Sequence, residues 1–272
     1  MLQLRSISEE PILRIPYRFP RTGGGVEVAD FPVYAATAEG LPEGLGGLLL
    51  ASDLQGMELR KGEGGARLLG HAVAEEVAFW LEGSDGPPPM DIGVVLAGDL
   101  HVDADLAKRG GKGDVRDVWH AFGRCFRWVC GVAGNHDRFG TDQELRDFAA
   151  EEGIHYLDAD MRRVDGLLMA GVGGVIGNPR KLFRRDEATY VGLVRRMLAN
   201  GPSLLVLHES PEMAELGHRG SRVIRECLDR SPPTLVACGH CHWKHPGLGN
   251  LRNGAQVINT DARAVLALWS KL

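Results

Sequence analysis

Residues that can bind a metal follow short apolar runs in this sequence, at the point where each run ends. Each run has the length and composition of a buried strand. Because ligands bind at the carboxyl ends of strands in open α/β sheets, we expect these side chains to converge on one sheet edge. The runs and the residues after them are 47–51 with Asp53, 92–97 with Asp99, 128–132 with Asn135, His136 and Asp137, 204–207 with His208, and 234–238 with His240 and His242.

Two Asp, one Asn and three His side chains at one place have the composition of a metal site. Each piece alone is weak, since a Gly-Asp pair is usually a turn and a single His at a strand end is usually structural. The segments 134–137 (GNHD) and 239–242 (GHCH) are more specific, because a glycine lets the backbone turn tightly before a group of ligands. The prediction of a metal site depends on all five pieces together.

The elements that must position these residues can be read from periodicity. From residue 46 onward, apolar runs alternate with helical patterns such as Leu69, Val73, Val77, which predicts βα units in one domain over 46–272. Turn signals at 165–166 (DG) and 253–254 (NG) predict hairpins and therefore mixed rather than purely parallel sheets. Residues 1–45, rich in Pro, Gly and Arg, are interpreted as an N-terminal extension with one short strand at 26–31.

Taken in order, the motifs resemble those of a known family. The series reads D-x-Q at 53–55, G-D at 98–99, G-N-H-D at 134–137, His208, and G-H-C-H at 239–242. It is similar to the signature D-x-H, G-D, G-N-H-D/E, H, G-H-x-H of the calcineurin-like metallophosphoesterases, and the resemblance covers about residues 46 to 270. The resemblance implies an α/β fold of two mixed β-sheets packed face to face with flanking helices (an αββα sandwich).

The resemblance also implies a ligand set for two divalent metals. Asp99 would bridge them; the first metal would be held in addition by Asp53, Gln55 and His242, and the second by Asn135, His208 and His240. Two cations about 3.5 to 4 Å apart polarise a phosphate and lower the pKa of a bridging water. The implied activity is hydrolysis of a phosphomonoester or phosphodiester by a metal-bridging hydroxide.

His136 and Asp137 complete the predicted site without binding metal. The imidazole of His136 can stabilise the charged transition state or protonate the leaving alkoxide, and Asp137 can set its tautomer and orientation. We expect both residues to take part in catalysis.

Gln55 departs from the family pattern, which has His at this position. A Gln oxygen can bind metal, but it is neutral and lacks the second ring nitrogen that an imidazole uses to hold its orientation. The change shifts the site from nitrogen towards oxygen donors, which favours Mn²⁺, with Mg²⁺, Fe or Zn²⁺ as other choices. His101 and His71 are the residues that could compensate by position in the sequence.

Net charge and composition restrict the expected partners and the cellular compartment. A net charge of -5 does not indicate broad nucleic-acid binding, so we expect a small phosphoester substrate, with nucleic acid possible but not indicated. An odd number of cysteines (5) and the absence of an apolar signal or membrane-spanning run predict a cytoplasmic protein that does not bind membranes. The alternative function is a non-catalytic metal-binding scaffold that acts as a protein-interaction module, and Gln55 is the feature that favours it.

Overall fold

Two packed β-sheets form the centre of the molecule in the computed structural model, which describes residues 1–59, 67–107 and 110–269. Strands are numbered β1 to β19 along the chain. The larger sheet contains nine strands in these ranges. They are β1 (Gln3–Ile7), β2 (Leu13–Pro20), β3 (Val26–Glu39), β4 (Gly47–Ser52), β5 (Met57–Glu58), β6 (Ile92–Leu96), β8 (Trp128–Gly131), β10 (Ile154–Tyr156) and β19 (Arg263–Trp269).

The second sheet and two small ribbons account for the other strands. The second sheet has six strands: β11 (Asp160–Val164), β12 (Leu167–Val172), β15 (Leu204–Leu207), β16 (Leu235–Cys238), β17 (Leu248–Asn250) and β18 (Gln256–Asn259). The ribbons pair β7 (Gly113–Asp114) with β9 (Asp137–Arg138) and β13 (Val175–Ile176) with β14 (Arg184–Arg185), both in parallel.

Both large sheets are mixed, as the hairpin signals predicted. In the first sheet, β10, β8, β6 and β4 run parallel, whereas β19 pairs with β4 antiparallel. In the second, β12, β15, β16 and β18 run parallel, and the two predicted hairpins form the antiparallel pairs β11–β12 and β17–β18. The five predicted apolar runs are therefore the strands β4, β6, β8, β15 and β16, divided between two sheets rather than placed in one.

The helices cover the outer faces of the two sheets. The described helices are α1 (Leu69–Glu82), α2 (Arg116–Cys125), α3 (Asp142–Ala149), α4 (Glu187–Leu198) and α5 (Arg222–Asp229). Residues of α1, α2 and α3 pack on the larger sheet, and residues of α4 and α5 pack on the smaller one. The expected αββα sandwich is confirmed.

Alternation along the strands explains why the runs are continuously apolar. In β4, Leu48 and Leu50 face the second sheet, whereas Leu49 faces the helices, and all three are completely buried. Strands β15 and β16 alternate in the same way between the inter-sheet core and the core beneath α4 and α5. A strand buried on both faces has no position for a polar residue until it ends, so the polar ligands lie at the strand ends.

Residues 1–45 lie in the larger sheet. Strand β3 pairs in parallel with β19 and antiparallel with β1 and β2. The start of the chain therefore shares a sheet with β4 and β6, the strands that precede Asp53 and Asp99. The predicted strand at 26–31 is the first part of the longer β3. Leu2 and Leu4 are buried in the inter-sheet core.

Among the described residues, there is no helix with both the length and the apolar character needed to cross a membrane.

Candidate metal centre

The turns after three strands hold predicted ligands in an unusual backbone conformation. Asp53 after β4, Asp99 after β6 and His240 after β16 have φ values of 54°, 56° and 67°. Non-glycine residues rarely occupy this left-handed region, and such strain concentrates at functional sites. Asp53 N donates to Gly98 O at 2.9 Å and so joins two of these turns.

Close approach, rather than a left-handed turn, explains two of the motif glycines. A Cβ at Gly134 would overlap the Asp99 backbone nitrogen and Oδ1, and a Cβ at Gly239 would overlap Asp53 Oδ2 and Ser52 Oγ. The glycines of GNHD and GHCH therefore let one turn pack directly onto a carboxylate carried by another.

Asp99 lies at the centre of the predicted ligand set. Its Oδ2 is 3.2 Å from His208 Nε2 and 3.4 Å from Gln55 Nε2, and 3.9 Å from His136 Nε2. Ligand atoms of Asp99, His208 and His240 all lie within 4.8 Å of one another. One carboxylate thus meets residues from both sheets, as expected of a ligand shared between two metals.

Two buried atoms without a hydrogen-bond partner test whether the residues fit a metal. His208 Nδ1 donates to Ala97 O at 2.7 Å, which leaves Nε2 as the nitrogen that can bind metal. Nε2 lies close to Asp99 but outside hydrogen-bond geometry, and Asn135 Oδ1 is also buried without a hydrogen-bond partner in the described chain. Buried polar atoms are normally satisfied, so an orphaned imidazole nitrogen beside the Asp99 carboxylate and an orphaned amide oxygen in the GNHD turn fit a divalent cation.

Crowded charges perturb the ionisation of the metal-free cluster. Burial, together with Asp261 and Asp99, raises the pKa of Asp53 well above its usual range. Burial also acts to raise the pKa of Asp99, but His208 outweighs it and the pKa is lowered. Burial and His208 lower the pKa of His240 to about 4. Burial acts to lower the pKa of His208, but Asp99 and Asp53 outweigh it and raise this pKa to about 10, so the imidazolium of His208 supplies positive charge in the metal-free cluster. A divalent cation would take over this role from the proton on His208.

Asp53 is anchored to the turn that carries His240. Its Oδ2 accepts the backbone N–H of His240 at 3.0 Å, and the side chain lines a cavity together with Gln55 and His242. The predicted members of the first metal site therefore lie around one cavity.

His136 is held by bonds on two sides. Its backbone N–H donates to Asp99 Oδ1 at 2.8 Å, and its ring Nδ1 is 2.8 Å from the carbonyl oxygen of Gly111. Because Nδ1–H donates to that carbonyl, Nε2 is the nitrogen directed towards Asp99. The ring lines the same cavity as Asp53 and Gln55.

The orienting role expected of Asp137 is wrong in this structure, because the Gly111 carbonyl occupies the ring position that Asp137 was expected to take. Asp137 accepts backbone N–H groups of Asp99, Leu100 and Gly134, each at 2.8 Å. The completely buried carboxylate therefore ties the Asp99 turn to the GNHD turn and acts on the backbone that positions the ligands.

Asp261 is a residue of the site that the sequence analysis missed. Its Oδ2 is 2.8 Å from His242 Nδ1, and its backbone bridges to Ser52, next to Asp53. The bond to Nδ1 leaves His242 Nε2 for a metal, an arrangement common among metal-binding histidines. A signal was present, because Asp261 is a carboxylate two residues after the end of the buried strand β18.

The two histidines considered as replacements at position 55 contact other groups. His71 Nε2 is 3.1 Å from Asp117 Oδ2, between α1 and α2. His101 Nε2 is 3.4 Å from Asp103 Oδ1, and its ring packs on Gly113. Neither lines the cavity that contains Gln55.

The cavity at the cluster has a volume of about 500 Å³. Its walls combine predicted metal ligands with a largely apolar group from the chain start. The lining residues are Tyr17, Phe19, Pro20, Asp53, Gln55, Asp99, Val102, Gly110, His136, His240, His242, Asp261 and Ala262.

Comparisons with known proteins give similarity of fold only. No protein-family model matches the sequence, and no curated protein matches it. One similar solved structure is that of a 5'-nucleotidase precursor from Thermus thermophilus, with 14% identity over 79% of this chain and a TM-score of 0.41. The match covers 48% of that protein, so this chain spans about half its length. The similarity concerns the fold alone; the candidate Asp/His site is a property of the geometry described above.

Proposed function

We propose that this protein is a metal-dependent phosphoesterase that hydrolyses a phosphomonoester or phosphodiester with two divalent ions. The observation that carries the proposal is the cluster around Asp99, in which His208 Nε2 lies 3.2 Å from the carboxylate and has no hydrogen-bond partner in the described chain. Structural histidines in a core are normally bonded through both polar atoms, whereas a metal ligand needs one nitrogen available.

The ligands divide into two sets that share Asp99. Asp53, Gln55 and His242 would hold the first ion, with Asp261 behind His242, and Asn135, His208 and His240 would hold the second. Such ions polarise a phosphate and lower the pKa of water. The mixture of oxygen and nitrogen donors supports Mn²⁺ as the ion.

The side chains of the protein would perform the remaining chemistry. His136, tethered through Nδ1, presents Nε2 to the cavity and would donate a proton to the leaving oxygen or stabilise charge on the phosphate. Asp137 would maintain the distance between the Asp99 and GNHD turns. We also propose that the protein is cytoplasmic and that its substrate is a small phosphoester.

A second candidate is a scaffold that binds metal without turnover, and the neutral Gln55 is the observation that favours it. A neutral ligand weakens the first site, so such a protein could carry one metal and no activity. The position of His136 favours the enzyme, because its Nδ1 is bonded to the Gly111 carbonyl while its Nε2 remains available in the cavity for a reacting group.

One assay distinguishes the two candidates. We expect purified protein with added Mn²⁺ to hydrolyse p-nitrophenyl phosphate or bis(p-nitrophenyl) phosphate, and we expect Asp99→Ala to lose both activity and Mn²⁺ binding in calorimetry. Asp85→Ala, in an exposed loop, serves as the matched control. Binding of Mn²⁺ by the wild type with no hydrolysis of either ester would support the scaffold, and no Mn²⁺ binding at all would refute both.

A further inference from the structure

The cavity has one wall that the metal cluster does not explain. Tyr17, Phe19 and Pro20 of β2 line it together with the predicted ligands. These residues come from the first 45 residues of the chain and lie outside the motif series.

The course of β2 shows how this wall is built. Alternate residues of a strand face the same side, so Ile15, Tyr17 and Phe19 share one face. Ile15 is buried in the core beneath the helices, Tyr17 packs at the border of that core, and Phe19 lies beyond it at the cavity. The face that covers the core thus becomes the wall of the cavity as the strand leaves the core.

Pairing with β5 brings this face to the metal site. Tyr17 pairs with Glu58 and Arg18 with Met57 in antiparallel register, which directs Phe19 towards Gly56 and Gln55. The Tyr17 ring lies so close to Gly56 that a Cβ there would overlap it. The aromatic wall therefore adjoins the turn that carries Asp53 and Gln55.

The two rings stack against each other and so have a defined orientation. Their centroids are 5.4 Å apart with an interplanar angle of 28°, and Tyr17 also makes an edge contact with Phe31 at 6.4 Å. Both side chains are half-buried, so they are held by neighbours and still reach the cavity. A volume of about 500 Å³ is within the range of sites that enclose a whole organic ligand, which leaves room beside a phosphate at the metals.

We propose that Tyr17 and Phe19 bind a flat, uncharged ring in the alcohol part of the phosphoester, and so select substrates whose phosphate is esterified to an aryl or nucleoside group. This inference rests on the proposed function, because it assigns the phosphate to the metal cluster. Stacking of a base on an aromatic side chain is sequence-tolerant and strong enough to dominate KM for such a substrate.

The test compares substrates that differ only in the ring. Adenosine 5'-monophosphate and ribose 5-phosphate share the same leaving oxygen, as do benzyl phosphate and ethyl phosphate to a close approximation. In Phe19→Ala we expect KM for the ring-bearing member to rise roughly 5- to 100-fold, from the usual stacking contribution, with KM for its partner changed less than about 2-fold. The two pairs distinguish a nucleoside from a simple aryl group.

Controls separate loss of stacking from loss of structure. Phe79→Ala removes the same side chain from an exposed position on α1 and should leave all four KM values unchanged. Phe19→Trp should keep the preference for the ring, and Mn²⁺ binding to each variant should match the wild type. Equal loss for ring-bearing and ring-free esters, or no change in Phe19→Ala, would overturn the proposal.

Failure of the proposed function gives a different pattern. If the wild type hydrolyses none of the four esters, the ring preference is measured instead by calorimetric titration of benzyl phosphate and ethyl phosphate into Mn²⁺-loaded wild type and Phe19→Ala. If the wild type binds benzyl phosphate more tightly than ethyl phosphate and Phe19→Ala does not, the aromatic wall binds the ring although the protein does not hydrolyse these esters. Equal binding of the two compounds by the wild type would refute the proposal.

Discussion

Gln55 is the position where a single substitution should restore the nitrogen donor that the family pattern has. The Gln55 amide lies in the cavity wall, with Nε2 at 3.4 Å from Asp99 Oδ2. In Gln55→His, an imidazole replaces a neutral amide beside the same carboxylate. We expect the first metal site to bind Mn²⁺ more tightly and the second site to be unchanged.

The size of the effect follows from what the substitution removes and adds. A hydrogen bond of 3.4 Å is long, so its loss costs the metal-free protein less than about 1 kcal/mol. A change in the ligand environment of this kind typically alters metal affinity by about 10- to 100-fold, or about 1.4 to 2.7 kcal/mol. The gain should therefore exceed the loss.

Calorimetric titration with Mn²⁺ measures both sites in one experiment. The wild type should give two unequal Kd values, and Gln55→His should lower the weaker one by roughly 10- to 100-fold. In parallel, the Mn²⁺ concentration for half-maximal activity should fall by a similar factor. Turnover at saturating Mn²⁺ need not rise, because tighter metal binding alone does not stabilise the transition state.

Gln143→His provides the matched control, because Gln143 is exposed on α3 and bonds Asp147 there. It should leave both Kd values unchanged. Two equally tight sites in the wild type, or a weaker site that Gln55→His does not tighten, would refute the conclusion that Gln55 is a weak ligand.

Three further predictions concern the support of the site and the fold. His136→Ala should keep its Mn²⁺ content but lose roughly 10²- to 10⁴-fold in kcat; metal lost in step with activity would show that the ring is a ligand. Asp137→Ala leaves three buried N–H groups without their acceptor, so urea unfolding should show about 3 kcal/mol or more of lost stability; a loss below about 1 kcal/mol would contradict this. Asp165 accepts bonds from Arg127 and Trp128, which lower its pKa. The stabilisation is thus present above the unfolded pKa of about 3.9 and is lost as pH falls through the folded pKa. Asp165→Asn should cost up to about 1 kcal/mol at pH 7 and progressively less below pH 4, and a difference independent of pH would refute the assignment.

The strands and the positions of the predicted ligands could both be inferred from the sequence, because one physical constraint determines both. A strand buried on two faces must be apolar throughout, and the first polar residue after it marks the edge where ligands lie. This rule placed Asp53, Asp99 and His208 at strand ends without any tertiary information. It did not reveal that the runs belong to two sheets, because pairing between distant strands leaves no mark on either run alone.

Asp137 shows how nearness in sequence misleads. It follows His136 directly, but β9 begins at Asp137, and successive side chains of an extended chain point to opposite sides. A carboxylate at this position therefore points away from the His136 ring and towards the backbone of the Asp99 turn.

Pairing between strands that are distant in sequence explains why two residues at the cavity could not be predicted. Asp261 reaches His242 only because β18 ends beside β16, and Phe19 reaches the cavity only because β2 pairs with the two residues of β5. The motif residues set the chemistry, and they can be identified by spacing because each stands at the end of its own strand. The aromatic side chains that line the cavity come from a segment with no motif, so the shape of this wall depends on strand pairing rather than on the signature.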